Sequence, residues 1–81
     1  MYYCYILHSL KLQKYYIGST GNLEERLQRH NNSKRGFTST GKPWLLVYSE
    51  EFEDRSAAVK RELQLKKWKS RKAIEELIKK V

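Results

Sequence analysis

Five side chains in this 81-residue sequence are of types that can hold a cation, clamp an anion or move a proton. They are Tyr5, Tyr16, Arg26, His30 and Glu62. A carboxylate can bind a divalent ion, a guanidinium can grip a phosphate at two points, and tyrosine or histidine can transfer protons. Other chemistries lack their signatures, because there is no Cys and His spacing for zinc, no Gly-Lys-Ser phosphate loop and no nucleophile elbow. The set suits phosphodiester chemistry.

Glu62 is notable for its position on a helix predicted over residues 55 to 69. At about 100° per residue from Ala58, the apolar arc centres at about 60°, with Glu62 near about 40° and Lys66 near about 80°. Both charges are therefore predicted to face inward, where a charge must be paired, bound to a metal or neutralised. An ordinary i, i+4 pair between them is the alternative, but such pairs belong on the outer face. The position favours a site.

Arg26 and His30 lie one helical turn apart on a predicted helix from 23 to 32. Leu23 and Leu27 define its inward stripe, and the same step places His30 beside the stripe and Arg26 just outside it. A structural histidine and a surface arginine are the alternatives when each is taken alone. The two together favour a shared site at one margin of the helix.

Tyrosine is dense, with six in the chain. The simplest explanation is that their rings, as strand residues, fill a small core. It is proposed for Tyr3, Tyr5, Tyr15, Tyr16 and Tyr48, and it suffices for most of them. The core explanation does not account for hydroxyls from two strands that converge with an arginine, a histidine and a glutamate.

The elements that must position these side chains follow from local patterns. Strands are predicted at 2–8, 15–18 and 44–52, the first two forming a hairpin, and Gly18 and Gly21 indicate positive φ or close backbone approach. Asn22 with Glu25 has the spacing of a capping box for the first helix. Asp54 or Ser56 can cap the second helix. Ser70 can cap a last helix whose apolar stripe comprises Ile74, Leu77, Ile78 and Val81. The order predicts one α+β domain over residues 1–81.

Charge points to a polyanionic partner. Seventeen Lys and Arg against nine Asp and Glu give a net charge of +8, which suits nucleic acid first and an anionic membrane surface second. The candidate phosphate-binding residues are Lys34, Arg35, Lys66, Lys67, Lys69, Arg71 and Lys72. The single cysteine, Cys4, and the lack of an apolar run long enough for a bilayer or a secretion signal predict a cytoplasmic protein without a membrane partner.

In its motifs the sequence resembles the GIY-YIG nuclease superfamily, particularly small stand-alone members related to the nuclease domain of bacterial excision-repair endonucleases. The first motif corresponds to Tyr3-Cys4-Tyr5 and the second to Tyr16-Ile17-Gly18, with ten residues between them. Arg26, His30 and Glu62 then follow in the family's order. The resemblance spans nearly the whole chain. It implies a three-stranded antiparallel sheet flanked by about three helices, and hydrolysis at one Mg²⁺ or Mn²⁺ ion with the glutamate as the only protein ligand.

Two positions depart from the family pattern. Tyr3-Cys4 replaces Gly-Ile in the first motif, and Ile74 stands near the place of an asparagine that many relatives carry. We expect a metal-dependent endonuclease acting on DNA, structured or damaged DNA included, with RNA as the second substrate class and a protein partner for targeting. A non-catalytic nucleic-acid-binding module on the same scaffold is the alternative, and a protein-interaction adaptor is a third.

The expected roles within the site are as follows. Glu62 holds the ion, Arg26 binds a phosphate oxygen, and Tyr5 or Tyr16 accepts a proton from water. We prefer Tyr5 as the base, with His30 as its proton acceptor and Tyr16 positioning water or phosphate. Since an ordinary tyrosine pKa is near 10, the base must have a lowered pKa or pass its proton to His30.

Overall fold

The computed structural model describes residues 1–32 and 40–79. Its elements in chain order are β1 (Tyr2–Ser9), β2 (Lys14–Thr20), α1 (Leu23–Asn32), β3 (Trp44–Phe52), α2 (Arg55–Trp68) and α3 (Arg71–Lys79). The predicted order and the α+β class are confirmed, with three helices in the part of the chain that the structure describes. Lys34, Arg35 and Val81 lie outside the described residues.

The sheet is antiparallel with strand order β2-β1-β3, so β1 runs through its centre. Tyr5 pairs with Gly18 on one side and with Ser49 on the other. The register against β3 shifts between Ile6 and Leu7, which marks a β-bulge or irregularity. Since side chains alternate along a strand, neighbouring residues of β1 project to opposite faces of the sheet.

Each face of the sheet carries its own cluster of buried residues. On the first, which we call the packing face, the buried residues are Cys4, Ile6, Leu65 and Ile74, so this face is covered by α2 and α3. On the second, the α1 face, they are Tyr5, Leu7 and Trp44, packed against Tyr16, Leu23 and Leu27. The predicted inward stripe of the first helix is therefore confirmed. The sheet is covered by helices on both sides.

The helices begin where side chains can satisfy their free backbone N–H groups. Asp54 accepts a hydrogen bond from the Ala57 amide at 2.8 Å, and Ser70 accepts one from the Ala73 amide at 3.2 Å. Asn22 caps α1 by accepting from the Glu25 amide at 3.1 Å. The second hydrogen bond of the predicted capping box, from the Asn22 backbone N–H to the Glu25 carboxylate, is not formed. The Glu25 carboxylate pairs with Arg29 instead, and the Asn22 backbone N–H donates to the Thr20 hydroxyl.

The inward face of α2 differs from the prediction. Ala58 and Leu65 are buried, but Leu63 is 52% exposed. The packed face of the helix therefore centres near Ala58 and Leu65. Glu62 lies partly buried at the margin of this face, and Lys66 is exposed. The prediction that Lys66 faces inward is wrong, because Leu63 does not contribute to the packed face. Among the described residues, no helix is long and apolar enough to cross a membrane.

Candidate active site

Tyr5 lies at the centre of the candidate site, in the middle of β1. Its side chain is buried, and its hydroxyl is 3.2 Å from Nε2 of His30. The hydroxyl also lies directly over Gly18 of the neighbouring strand, where a Cβ atom would stand only 2.5 Å from it. Glycine is required at this position by close approach, one of the two reasons that the sequence predicted.

His30 reaches Tyr5 from the last turn of α1 and is 7% exposed. The Tyr16 ring contacts it edge-on, with the ring centroids 4.6 Å apart. Burial lowers the pKa of His30 below its ordinary value of 6.5, and the positive charges of Arg26 and Arg29 lower it further. The imidazole is therefore neutral at neutral pH and can accept a proton at Nε2.

The pKa of Tyr5, in contrast to that of His30, is raised. Burial raises its pKa to about 12 from an ordinary value of 10, the charge of Arg26 opposes this, and Tyr16 and Glu62 raise the pKa further. Of the two routes that the sequence left open for a tyrosine base, a lowered pKa is not the one that this environment provides. The remaining route passes the phenol proton to His30.

Arg26 approaches from the first half of α1. It is half-buried, and its charge is close enough to the Tyr5 hydroxyl to affect its pKa. It also lines a cleft of about 250 Å³, which Ser19 and Ala58 line as well. A second cation, Arg55 from the first turn of α2, lines the same cleft. Arg55 was not predicted from the sequence, since nothing in the local pattern distinguishes it from a surface residue.

Glu62 reaches the sheet from α2 at the outer edge of β2. Its Oε1 accepts a hydrogen bond from the Ser19 hydroxyl at 2.7 Å, and its Oε2 lies 2.6 Å from the Lys66 ammonium. The pair with Lys66, which the sequence analysis disfavoured, is thus formed, with the Glu62 side chain 17% exposed and that of Lys66 50% exposed. Glu62 is close enough to Tyr5 to raise its pKa. Ser19, which directly follows the second motif, was also missed.

The donor set can be tested against a divalent ion. Within the described residues, no three His, Cys, Asp or Glu side chains gather into a metal-holding group. Mg²⁺ keeps several waters and is commonly held by one or two carboxylates together with substrate phosphates. Glu62 fits this mode of binding, because it is a single, largely covered carboxylate that already binds a cation, the Lys66 ammonium.

The remaining predicted residues lie apart from Tyr5. Lys67, Lys69 and Lys72 are exposed around the α2–α3 junction, where a phosphate backbone can reach them. Arg71 is half exposed and contacts the Tyr15 ring and Glu75. Ile74, near the place of the family's asparagine, is buried on the packing face and offers no polar group. The predicted Lys34 and Arg35 contacts fall outside the described residues.

Comparison with known proteins supports the resemblance. Residues 1–75 match the family described as the GIY-YIG catalytic domain. The chain is 39% identical over 66 residues to a UPF0213 protein of Staphylococcus haemolyticus, covering 80% of this chain and 79% of that one. An uncharacterized protein of Acanthamoeba polyphaga mimivirus is 35% identical over 80 residues, which are 93% of this chain but 48% of the viral protein.

Two further likenesses bear on function and fold. The structure-specific endonuclease subunit SLX1 of Phaeosphaeria nodorum is 51% identical over 35 residues, which are 43% of this chain and 10% of that protein. The NMR structure of a UPF0213 protein from Bacillus halodurans superposes with a TM-score of 0.59 at 29% identity, covering 98% of this chain and 84% of that one. The predicted three-stranded antiparallel fold and the family resemblance are both confirmed.

Proposed function

Because this chain belongs to the GIY-YIG family of nuclease domains, we propose that it is an endonuclease that hydrolyses phosphodiester bonds in DNA with one divalent ion, Mg²⁺ or Mn²⁺. The observation that supports this best is the arrangement at Tyr5. A buried phenol stands 3.2 Å from a histidine that burial keeps neutral. An arginine and a lone carboxylate lie close enough to shift the phenol's pKa.

The first role is proton transfer. The Tyr5 oxygen accepts a proton from the attacking water while its own proton passes to Nε2 of His30. With a Tyr5 pKa of about 12, a free phenolate is a costly intermediate at neutral pH, so a concerted relay is the favoured route. Tyr16, in edge contact with His30, fixes the orientation of the imidazole.

The second role is charge stabilisation at the phosphate. Arg26 binds a non-bridging oxygen, where its planar fork matches phosphate geometry and offsets the charge that develops in the transition state. Glu62 is the residue that would hold the metal, with Ser19 orienting its carboxylate. The chemistry that a bound divalent ion would supply is polarisation of the phosphoryl group and neutralisation of charge on the leaving oxygen.

Substrate contact comes from the exposed lysines near the α2–α3 junction, namely Lys67, Lys69 and Lys72. Lysine contacts to the phosphate backbone supply affinity without reading sequence. We therefore expect low sequence preference and binding that weakens steeply with salt. DNA is the proposed substrate, and a matched RNA is the comparison that can overturn this choice.

The test is nicking of plasmid and branched DNA with Mg²⁺ or Mn²⁺ by the Glu62→Gln and Arg26→Ala variants. Matched controls are Glu76→Gln, an exposed glutamate of α3, and Gln28→Ala, an exposed polar residue of α1. We expect Glu62→Gln to fall to background and Arg26→Ala to lose about 10²–10³ in rate, while both controls cut like the parent. Circular dichroism checks that each variant is folded.

The outcomes separate the candidate functions. If both site variants cut as well as the parent, the assignment of these residues is wrong. If the parent binds DNA but does not cut it with either ion, the chain is a binding module on a nuclease scaffold. This second function is favoured by one observation, that the position near the family's asparagine is taken by the buried, apolar Ile74.

A further inference from the structure

A groove of about 450 Å³ runs along the outer edge of β2, next to the candidate active site. Its floor is apolar and includes Ile17, Leu65 and Ile74, while its rim carries the exposed cations Lys66, Lys69 and Arg71. None of the described residues that line it is Asp or Glu. Glu62 and Glu75 lie behind the rim, paired with Lys66 and Arg71, so the residues that face the groove are cationic. Such a lining favours a strand of nucleic acid over a cationic ligand.

Lys66 belongs to this groove and to the active site together. It lines the groove, and its ammonium also lies 2.6 Å from Oε2 of Glu62. Its side chain is half exposed, and a lysine stem is long and flexible enough to change partners. One residue therefore connects the surface that can take phosphates with the carboxylate that holds the ion.

Both oxygens of Glu62 are engaged in the described structure, Oε1 by Ser19 and Oε2 by Lys66. A divalent ion at Oε2 would lie next to the ammonium, and two cations at such a distance repel strongly where the surroundings are partly buried. The ion and Lys66 therefore compete for Oε2. A phosphate bound at the rim would give the Lys66 ammonium another anion to pair with. Filling the groove therefore lowers the free-energy cost of moving Lys66 away from the Glu62 carboxylate.

We propose that Lys66 is a positioning residue that covers Glu62 in the free protein and moves to a nucleic-acid phosphate when the groove is filled, opening Oε2 to the divalent ion. This rests on the proposed function, since it takes Glu62 as the metal ligand. Metal and nucleic acid then bind with positive coupling, and by linkage each strengthens the other by the same factor. In the absence of substrate, the carboxylate is held by the protein's own cation.

The experiment measures Mg²⁺ binding rather than cleavage. Mg²⁺ is titrated into ¹⁵N-labelled protein, and the Ser19 and Glu62 amide signals are followed by NMR. Each titration is done on the protein alone and on the protein saturated with a single-stranded phosphorothioate oligonucleotide, whose linkages resist hydrolysis. The variants are Lys66→Gln, Lys66→Arg as the conservative rescue, and Lys60→Gln, which removes the same charge from an exposed position of the same helix.

For the parent we expect the oligonucleotide to tighten Mg²⁺ binding by about 5- to 150-fold. Lys66→Gln should bind Mg²⁺ tightly without the oligonucleotide, with a ratio near one between the two conditions. Lys66→Arg should restore the coupling, and Lys60→Gln should behave like the parent. A purely electrostatic effect of one lost charge would change both conditions equally and keep the ratio.

Failure of the coupling and failure of the function can be told apart. If Glu62→Gln abolishes Mg²⁺ binding but Lys66→Gln leaves the parent's ratio unchanged, the coupling is overturned and the metal site stands. Equal effects of Lys66→Gln and Lys60→Gln also overturn it. If the parent binds no Mg²⁺ in either condition, the proposed metal ligand is wrong and the coupling is refuted with it.

Discussion

The two faces of the sheet are built from one strand and differ in what they bury. On the packing face, Cys4 and Ile6 meet Leu65 and Ile74, and burial raises the pKa of the Cys4 thiol to about 12, so this thiol is unreactive. On the α1 face, the neighbouring residue Tyr5 is equally buried but keeps a polar partner in His30. Burial raises the pKa of both side chains, and what distinguishes the two faces is that Tyr5 has a titratable partner while Cys4 is surrounded by apolar side chains.

The edge of β2 connects the two faces. Gly18 leaves room for the Tyr5 hydroxyl on the α1 face, and the next residue, Ser19, points the other way and donates to Glu62. The last residue of the second motif and the residue after it thus contact the phenol and the carboxylate separately. Glu62 is nevertheless close enough to Tyr5 to raise the pKa of the phenol.

The largest effect should come from two substitutions at adjacent positions of β1. Tyr5→Phe removes one oxygen and should lower the nicking rate by about 10²–10⁴-fold, with a stability loss on the order of 1 kcal/mol. Ile6→Ala should cost about 2–5 kcal/mol of unfolding free energy and leave the rate per folded molecule unchanged. Nicking assays with urea denaturation measure both. Equal losses of rate in the two variants would refute the division between the faces.

A smaller effect is expected at the glycine under the phenol. The Cβ of Gly18→Ala would stand 2.5 Å from the Tyr5 hydroxyl, so the ring must shift away from His30, with a stability loss of about 1–3 kcal/mol and a slower rate. Gly21→Ala is the control, because its Cβ meets the Tyr2 ring at an ordinary 3.4 Å. If Gly18→Ala cuts DNA like Gly21→Ala, the position of the Tyr5 hydroxyl is not critical.

The smallest effect near neutral pH should come from the titration of His30. Its native pKa lies below 6.5, so the relay is intact at neutral pH and is lost as the imidazole gains a proton in acid, by about tenfold in rate per pH unit below that pKa. The stability of the fold changes with pH in the same direction. The unfolded state binds more protons below 6.5, so the unfolding free energy falls as pH falls through that range.

The measurement is a pH–rate profile together with urea denaturation at each pH. His30→Gln is the control, since glutamine does not titrate and should remove this part of the acid-side loss of stability. A parent rate that is independent of pH well below 6.5 would argue against His30 as the proton acceptor.

Much of the fold was predictable, because its signals are local. The third strand was predicted at 44–52 and observed at Trp44–Phe52, since an aromatic and branched run follows Pro43 directly. The Asn22 and Ser70 caps form as predicted, and the second helix uses Asp54, one of its two predicted caps. Each depends on residues within three or four positions along the chain.

The site was less predictable, because its contacts join distant segments. The pattern identified Glu62 as unusual but misjudged Lys66, since it counted the exposed Leu63 as part of the packed face. Ser19 and Arg55 carry no local signal for their positions at the edge of β2. The pKa of Tyr5 is raised by burial and by Glu62 and lowered by Arg26, and the strand itself specifies none of these neighbours.

By itself, the sequence determined the order of elements, the helix caps and the chemical types available, because propensity, capping and side-chain alternation act over a few residues. Only the tertiary structure decided the strand order β2-β1-β3 and the meeting of Tyr5, His30 and Glu62 around one edge. The reason is physical: a side chain's pKa and partners depend on what packs against it. Here those neighbours come from other segments of the chain, since His30 lies 25 residues from Tyr5 and Glu62 lies 43 residues from Ser19.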